Sequence, residues 1–338
     1  MVTIEDVARA AGVSKGTVSL VYSGKRPISP ATRARVLDAA AELDWVPSSR
    51  ARALATRRSQ TIGLVLARDP EIIATDSFFA RFVAGAESVL ATRSMGLLLQ
   101  VVSTPEQERD AYRSLARGRA DAVILTDLLV DDPRPALLAD LRLPAVVVGA
   151  SPDPAPHPRV LSDDRAAVRD VVDHLVGLGH ERIAHVSGPA GYVHGHDRRA
   201  AFVDAMAAHG LDPALVVEGD FSAQSGREAT ARLLDADDRP SAIVYANDVM
   251  AIAGLNHAQS RGVRVPDDLA ITGFDDIELA AHLTPSLTTV QTDVVSWGRR
   301  AAEVLLRHLD GAVPEDAWIA PSRLVVREST AGAPAART

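Results

Sequence analysis

The spacing of apolar positions changes character near residue 60 of this 338-residue chain. Before that point it is helical. Ile4, Val7, Ala8 and Ala11 recur at i, i+3, i+4 and i+7, one face of a helix. Gly12 follows and can take the positive φ of a sharp turn at little cost. Ser14 is placed to cap a second helix, whose buried stripe is Val18 and Val21, and Ala8 is small where the two helices approach. Ser29-Pro30 predicts a third helix, with a capping serine and proline at the first helical position. That helix is expected to send Val36, Leu37, Ala40 and Leu43 inward and to end near Asp44, with Trp45 and Val46 closing a small core. Two short helices about a glycine turn form a helix-turn-helix, whose second helix is shaped to lie in a DNA major groove.

Beyond residue 60, short apolar runs alternate with helical periods. Residues 61–66, 96–102, 122–125 and 145–148 suit strands buried on both faces, with helices expected over 82–90 and 106–117. The proline-rich segment Ser151–Pro158 interrupts the pattern. A second series follows, with helices over 166–178, 198–209, 225–234 and 248–261. Its strands fall over 183–186, 214–218, 242–245 and 270–273. Two successive βαβ series predict two parallel-sheet lobes, with ligands bound beyond the carboxyl ends of the strands.

The formal net charge of −8 changes meaning once it is divided along the chain. Residues 1–60 carry ten basic and five acidic side chains, a balance of +5, which leaves −13 on the rest. Contact with phosphate is therefore expected of the head alone. The absence of cysteine excludes disulfides, thiolate metal sites and a cysteine nucleophile. The start is acidic and amphipathic, which does not read as a signal peptide, and no apolar run approaches the ~20 residues of a membrane span. A soluble, cytoplasmic, nucleoid-associated protein is expected, with residues 331–338 as a disordered tail. His185, His194, His196 and Asp197 lack H-E-x-x-H spacing, and no nucleophile elbow or Walker loop occurs. Gly177–His180 reads as a helix end and turn. No metal, cofactor or enzymatic reaction is expected.

Five motifs in order, VARAAGVSKGTVS, VPSSRARAL, LGHERIAHVSG, ANDVMAIAGL and ITGFDD, span nearly the whole chain. Through them it resembles the lactose-repressor and purine-repressor (LacI-type) family of bacterial transcription regulators. The resemblance implies an all-α helix-turn-helix headpiece (residues 1–46) and a hinge helix or linker (47–60). These join an α/β, periplasmic-binding-protein-like body (61–330). Lobe 1 would comprise about 61–160 and 291–319, and lobe 2 about 161–290 and 320–330. The chain would cross between lobes near 158–163, 285–293 and 318–323, with 296–309 a helix returning to lobe 1.

The resemblance also implies roles for particular residues. Base contacts fall at Lys15, Gly16 and Leu20, and phosphate contacts around Thr3, Ser14, Thr17, Ser19, Ser23 and Ser29. Arg52 and Leu54 lie in the hinge, where Leu54 is expected to wedge between base pairs from the minor groove and kink the duplex. An isolated two-turn helix is marginal in water, so the hinge is expected to fold on DNA. Relatives often carry arginine at Leu20 and asparagine at Ser23, which leaves Lys15 as the main polar reader. The effector positions are Phe78 and Phe79 as an apolar wall, Tyr192, His194 and Arg198 following strand 183–186 and facing the cleft, and Phe221 as a stacking platform. Asn247 and Asp275 would offer an amide and a carboxylate to hydroxyls. Gly149 stands where relatives often have an acid, so no known sugar site is copied directly. The expected protein is a homodimeric repressor on a pseudo-palindromic operator, controlled by a small molecule, a sugar or sugar derivative. A nucleobase-type corepressor is the alternative. A plain solute-binding protein would need a signal peptide and no headpiece.

Overall fold

The computed structural model describes residues 2–23, 26–45, 58–149, 156–313 and 315–330. The hinge residues Arg52 and Leu54, Val46 and the tail 331–338 lie outside these. The head is α1 (Ile4–Ala10), α2 (Lys15–Ser23) and α3 (Pro30–Glu42). Each helix start is local chemistry. The Thr3 N–H donates to the Asp6 carboxylate at 3.0 Å, Ser14 Oγ accepts from the Thr17 N–H at 3.1 Å, and Ser29 Oγ accepts from the Thr32 N–H at 3.2 Å. These bonds satisfy donors that a helix start leaves without partners. Gly12 has φ +64°, the turn that only a residue without Cβ enters cheaply. Val7, Ala8, Val18, Val21 and Val36 close a small core, and Trp45 meets Tyr22 edge-on at 5.6 Å. Leu37 departs from its expected inward position. It is 40% exposed while Ala39 is buried, because at 100° per residue Val36 and Ala40 share the inward face and position 37 rotates onto its rim.

The body has two sheets. In the first lie β1 (Thr61–Leu66), β2 (Gly96–Val101), β3 (Ala122–Leu125), β4 (Ala145–Val148), β5 (Arg159–Leu161) and β11 (Ala317–Trp318). Their order is β11-β5-β4-β3-β1-β2 and every pair is parallel. The second holds β6 (Ile183–Ser187), β7 (Val216–Glu218), β8 (Ala242–Tyr245), β9 (Ala270–Asp275), β10 (Thr288–Gln291) and β12 (Arg323–Val325). It runs β12-β10-β9-β8-β6-β7, and β12 pairs antiparallel on β10, an exception to the all-parallel expectation. The chain passes between the sheets at 162–163, 292–293 and 319–322.

Twelve α-helices are described, and nine of them belong to the body: α4 (Pro70–Thr75), α5 (Ser77–Leu90), α6 (Pro105–Ser114), α7 (Arg134–Asp140), α8 (Asp164–Gly177), α9 (Val193–Ala208), α10 (Ala223–Asp235), α11 (Asp248–Ser260) and α12 (Val294–Leu309). The pattern of apolar residues missed α4 and α7, which are short, and placed the start of α9 five residues late. The reason is tertiary. The first N–H of α9, on Val193, donates to the Leu128 carbonyl at 2.8 Å, a partner from the other lobe. The helix expected over 106–117 stops at Ser114 and gives way to a wide turn over Leu115–Arg119, where Gly118 has φ +98°.

Helix α12 returns to the first lobe by packing on α5 at backbone distance. A Cβ on Gly298 would stand 2.0 Å from the Phe82 carbonyl oxygen, and one on Gly85 2.1 Å from that of Val295. Backbone atoms cannot step aside as a side-chain tip can. Gly298→Ala is therefore expected to push the helices apart and destabilise the protein by about 3 kcal/mol. Urea unfolding of the full chain checks this, and an unshifted midpoint would refute it.

Candidate functional site

The head presents the face for DNA. Lys15, Gly16 and Ser19 are exposed, Thr17 and Leu20 are partly so, and Leu20 is absent from the head's core cluster. A side chain at Gly16 would meet nothing nearer than Ser14 Oγ at 3.6 Å, so the position faces open space. The ammonium of Lys15 rests on the Glu5 carboxylate of α1. It must leave that partner to reach a base edge, a swap of one exposed ion pair for another contact that costs little. Thr3, Ser14 and Ser29 are exposed, with the Ser14 and Ser29 hydroxyls also serving as caps and that of Thr3 donating to Asp6. Ser23 is the last residue of α2.

The second site lies between the lobes, where the carboxyl ends of the strands meet. Arg68 follows β1, Thr126 and Asp127 follow β3, Gly149 follows β4, Asn247 follows β8, and Asp275 ends β9. Together with Phe78, Phe79, His194, Arg198 and Phe221 they line a cavity of about 420 Å³, within the range that small-molecule sites occupy. Trp297 and Trp318, on or beside the later crossings, complete its wall.

Phe78 and Phe79 sit on the first turn of α5, ring to ring at 5.5 Å, and Asp76 caps that helix by accepting from the Phe78 N–H at 2.8 Å. Tyr192, His194 and Phe221 form a column, with centroids 5.5 and 5.4 Å apart. Two expectations need correction here. Tyr192 holds the N-cap position of α9 without a side-chain cap bond, His194 stands on its first turn rather than in a loop, and Arg198 lies inside the helix rather than at its start. Phe221, with φ +71°, is only 6% exposed. His194 covers it, and its tip lies where a side chain on Gly188 would be, so it is not an open platform. Tyr192 is not part of the cavity lining and instead supports His194 from behind.

Asn247 also differs from its expected use. Its carbonyl oxygen accepts from the Met250 N–H at 2.9 Å, capping α11, and its amide donates to the Phe221 carbonyl at 3.0 Å. One amide hydrogen is left for a ligand. Arg198 is similarly anchored. It donates to Asp164 at 2.8 and 3.0 Å and to the Ala246 carbonyl at 2.9 Å, and its guanidinium lies 3.6 Å from the Phe274 ring centre. Burial works to raise the Asp164 pKa, but Arg198 outweighs it and holds the carboxyl below its usual range. Asp275 is the opposite case. Among the described residues its carboxylate has no hydrogen-bond or ion-pair partner. Burial pushes its pKa well above the usual range, Arg198 opposes, and Asp76, Asp248 and Asp164 add to the rise. Burial lowers His194 to about 4, so its ring is neutral at physiological pH. Among the described residues no cluster of histidines and carboxylates could hold a metal ion.

Reading the sequence missed Arg68 and Asp127. Arg68 grips Asp127 with two bonds of 2.7 and 2.9 Å and is only 7% exposed. It belongs to lobe 1, yet its guanidinium lies 4.3 Å from the Tyr192 ring centre and 5.2 Å from that of Phe221, both in lobe 2. Beside it, Val130 N–H donates to the Gly191 carbonyl at 2.9 Å, so Leu129 and Tyr192 form a short antiparallel bridge between lobes. Arg134 braces this loop through the Asp127 carbonyl, Asp132 and Glu108. The lobes are thus latched on the Arg68 side. The signal in the sequence was a charged residue two positions beyond the end of each of two apolar strands.

Residues 3–48 match the family of bacterial regulatory proteins, lacI family, and residues 172–330 match a periplasmic binding protein-like domain. The chain is 35% identical to the HTH-type transcriptional regulator CelR of Thermobifida fusca over 97% of its own length and 98% of that protein. A solved transcriptional regulator CelR–cellobiose complex matches at TM-score 0.74 and 34% identity, over 97% of this chain and 100% of that one. The lac repressor dimer bound to operator and the anti-inducer ONPF matches at TM-score 0.85 and 31% identity, over 97% and 99% of the two chains. Fold and site define a transcription regulator with a helix-turn-helix head and a two-lobed effector domain. The chain belongs to the lacI family of bacterial regulatory proteins.

Proposed function

We propose that this regulator is a homodimeric repressor whose hold on a pseudo-palindromic operator is set by a carbohydrate bound between the lobes. The observation that carries the reading is the cavity itself. Both lobes wall it at the carboxyl ends of parallel strands, with aromatic rings beside an unpartnered carboxylate, the combination that receives a sugar's apolar faces and hydroxyls. Likeness to the CelR–cellobiose complex over nearly the whole chain supports a sugar in particular. The buried state of Phe221 weighs against a flat nucleobase stacked on an open ring.

In this reading Lys15 and Leu20 face base edges, and the Thr3, Ser14, Thr17, Ser19, Ser23 and Ser29 positions meet phosphate. Arg52 and Leu54 act in the hinge. The protein works in the cytoplasm, on the nucleoid. Among the described residues no helix is long and apolar enough to cross a membrane. Sugar binding shifts the lobes relative to each other and changes how the paired heads meet DNA, so ligand and DNA must alter each other's affinity by one factor. A gel shift on the chain's own upstream DNA over a salt series tests the function, because a specific complex should weaken steeply as salt rises. No specific complex there or at neighbouring promoters would refute it. Leu54→Ala should reduce DNA bending while leaving sugar binding intact, and unchanged bending would rule out the wedge.

A further inference from the structure

We infer that the cleft admits neutral polyhydroxyl ligands and excludes anionic ones, such as sugar phosphates and uronic acids, because every guanidinium in its wall is already paired with an aspartate. This rests on the carbohydrate reading above and sharpens it to a charge class.

The lining holds six aspartates, three arginines and no lysine. Arg68 is taken by Asp127, Arg198 by Asp164, and Arg165 by Asp204 outside the cavity. Among the described residues, Asp76 and Asp275 are in no ion pair. Asp76 comes from lobe 1 and Asp275 from lobe 2, so each lobe presents a carboxyl without an ion-pair partner, and no free cation, to the same space, and burial raises the pKa of both. Arg81, outside the lining, donates to the backbone carbonyl of Asp275 at 3.5 Å. His194 supplies no charge at neutral pH, since burial brings it to about 4.

Three of the helix starts beside the cavity carry side-chain caps, while that of α9, where Val193 and His194 line the wall, carries none and gives its first N–H to the Leu128 carbonyl. Asp76 caps α5, Asp163 caps α8 through the Ala166 N–H, and Asn247 caps α11. One N–H of the kind that would grip phosphate at a bare helix start is engaged at each of these three, two of them by carboxylates that would repel it. A hydroxyl, by contrast, can donate to Asp275, which lacks a partner among the described residues, or to the oxygen of Asp76 that the Phe78 N–H leaves open.

Thermal-shift screening followed by calorimetry on the full-length protein, using matched pairs, tests the inference. The pairs are glucose with glucose 6-phosphate, galactose with galacturonate, and cellobiose with its phosphorylated form, with hypoxanthine as a separate arm. In every pair that binds, the neutral member should bind at least tenfold more tightly, about 1.4 kcal/mol, and the gap should shrink as salt rises. Asp76→Asn keeps a good capping side chain and should narrow the gap severalfold. An anionic member that binds as well as its neutral partner overturns the inference. So does a gap that neither salt nor Asp76→Asn changes, since shape alone would then account for it. Binding of hypoxanthine with no sugar of either charge would instead overturn the carbohydrate reading.

Discussion

An Asp275→Asn variant is expected to resist urea better than the wild type while losing most of its affinity for the effector. The wild-type carboxylate ends β9 at φ +109°, faces the cavity, and has no partner among the described residues. Its native pKa is raised, with burial the largest cause. The folded state therefore holds this proton more tightly than the unfolded chain does. Stability from the group is fullest below the ordinary carboxylate range and is lost as pH climbs through the raised native value. Asparagine carries no charge at any pH, so the variant should gain most at neutral pH and lose that part of the pH dependence. A sugar hydroxyl, however, loses its charged acceptor. We expect an affinity loss of about 2 kcal/mol, roughly thirtyfold, for whichever sugar raises the wild-type melting temperature. Urea titrations at several pH values and calorimetry with that sugar check both halves. Lower stability together with unchanged affinity would remove Asp275 from the site.

Asp127→Asn should act in the opposite direction on stability. Arg68 is buried and its charge is met by the two oxygens of Asp127. Burial works to raise the Asp127 pKa, but Arg68 overrides it and keeps the carboxylate ionised. Removing that charge strands a buried guanidinium, and breaking a buried pair by deleting one partner costs about 3 kcal/mol. Asparagine also tolerates the positive φ of +53° at this position, so backbone strain is not the cause. Adding Arg68→Met should recover much of the loss, because an apolar side chain needs no counter-charge. A double variant as unstable as Asp127→Asn alone would contradict the pairing argument. Both variants also loosen the latch onto Tyr192 and Phe221, so the effector should bind them more weakly.

The head was legible because its chemistry is local. Gly12, Ser14 and Ser29-Pro30 each announce a turn or cap within four residues, and the structure bears out all three. Leu37 misled because a large apolar side chain on a helix was assigned to the core without asking which side of the stripe it falls on. In the body, apolar runs marked the central strands, whose residues are buried on both faces. Strands β5, β10, β11 and β12 are only two to four residues long and carry no such run, although β5 and β10 lie inside their sheets. Phe78, Arg198 and Asp275 were placed at the cleft by resemblance, and all three line it. Arg68 and Asp127 escaped because they are 59 residues apart. They meet only because β1 and β3 are neighbours in register, Ile62 beside Ala122. The start of α9 escaped for a related reason, since its first hydrogen bond comes from the opposite lobe.

The central claim is that the cleft and the head are energetically coupled. Calorimetric titration of the sugar into the full-length protein, alone and saturated with operator DNA, tests it most directly. The account predicts that operator changes the sugar affinity by about 5- to 150-fold, and that sugar changes operator affinity by the same factor. A sugar that binds the cleft equally well with and without operator would contradict it.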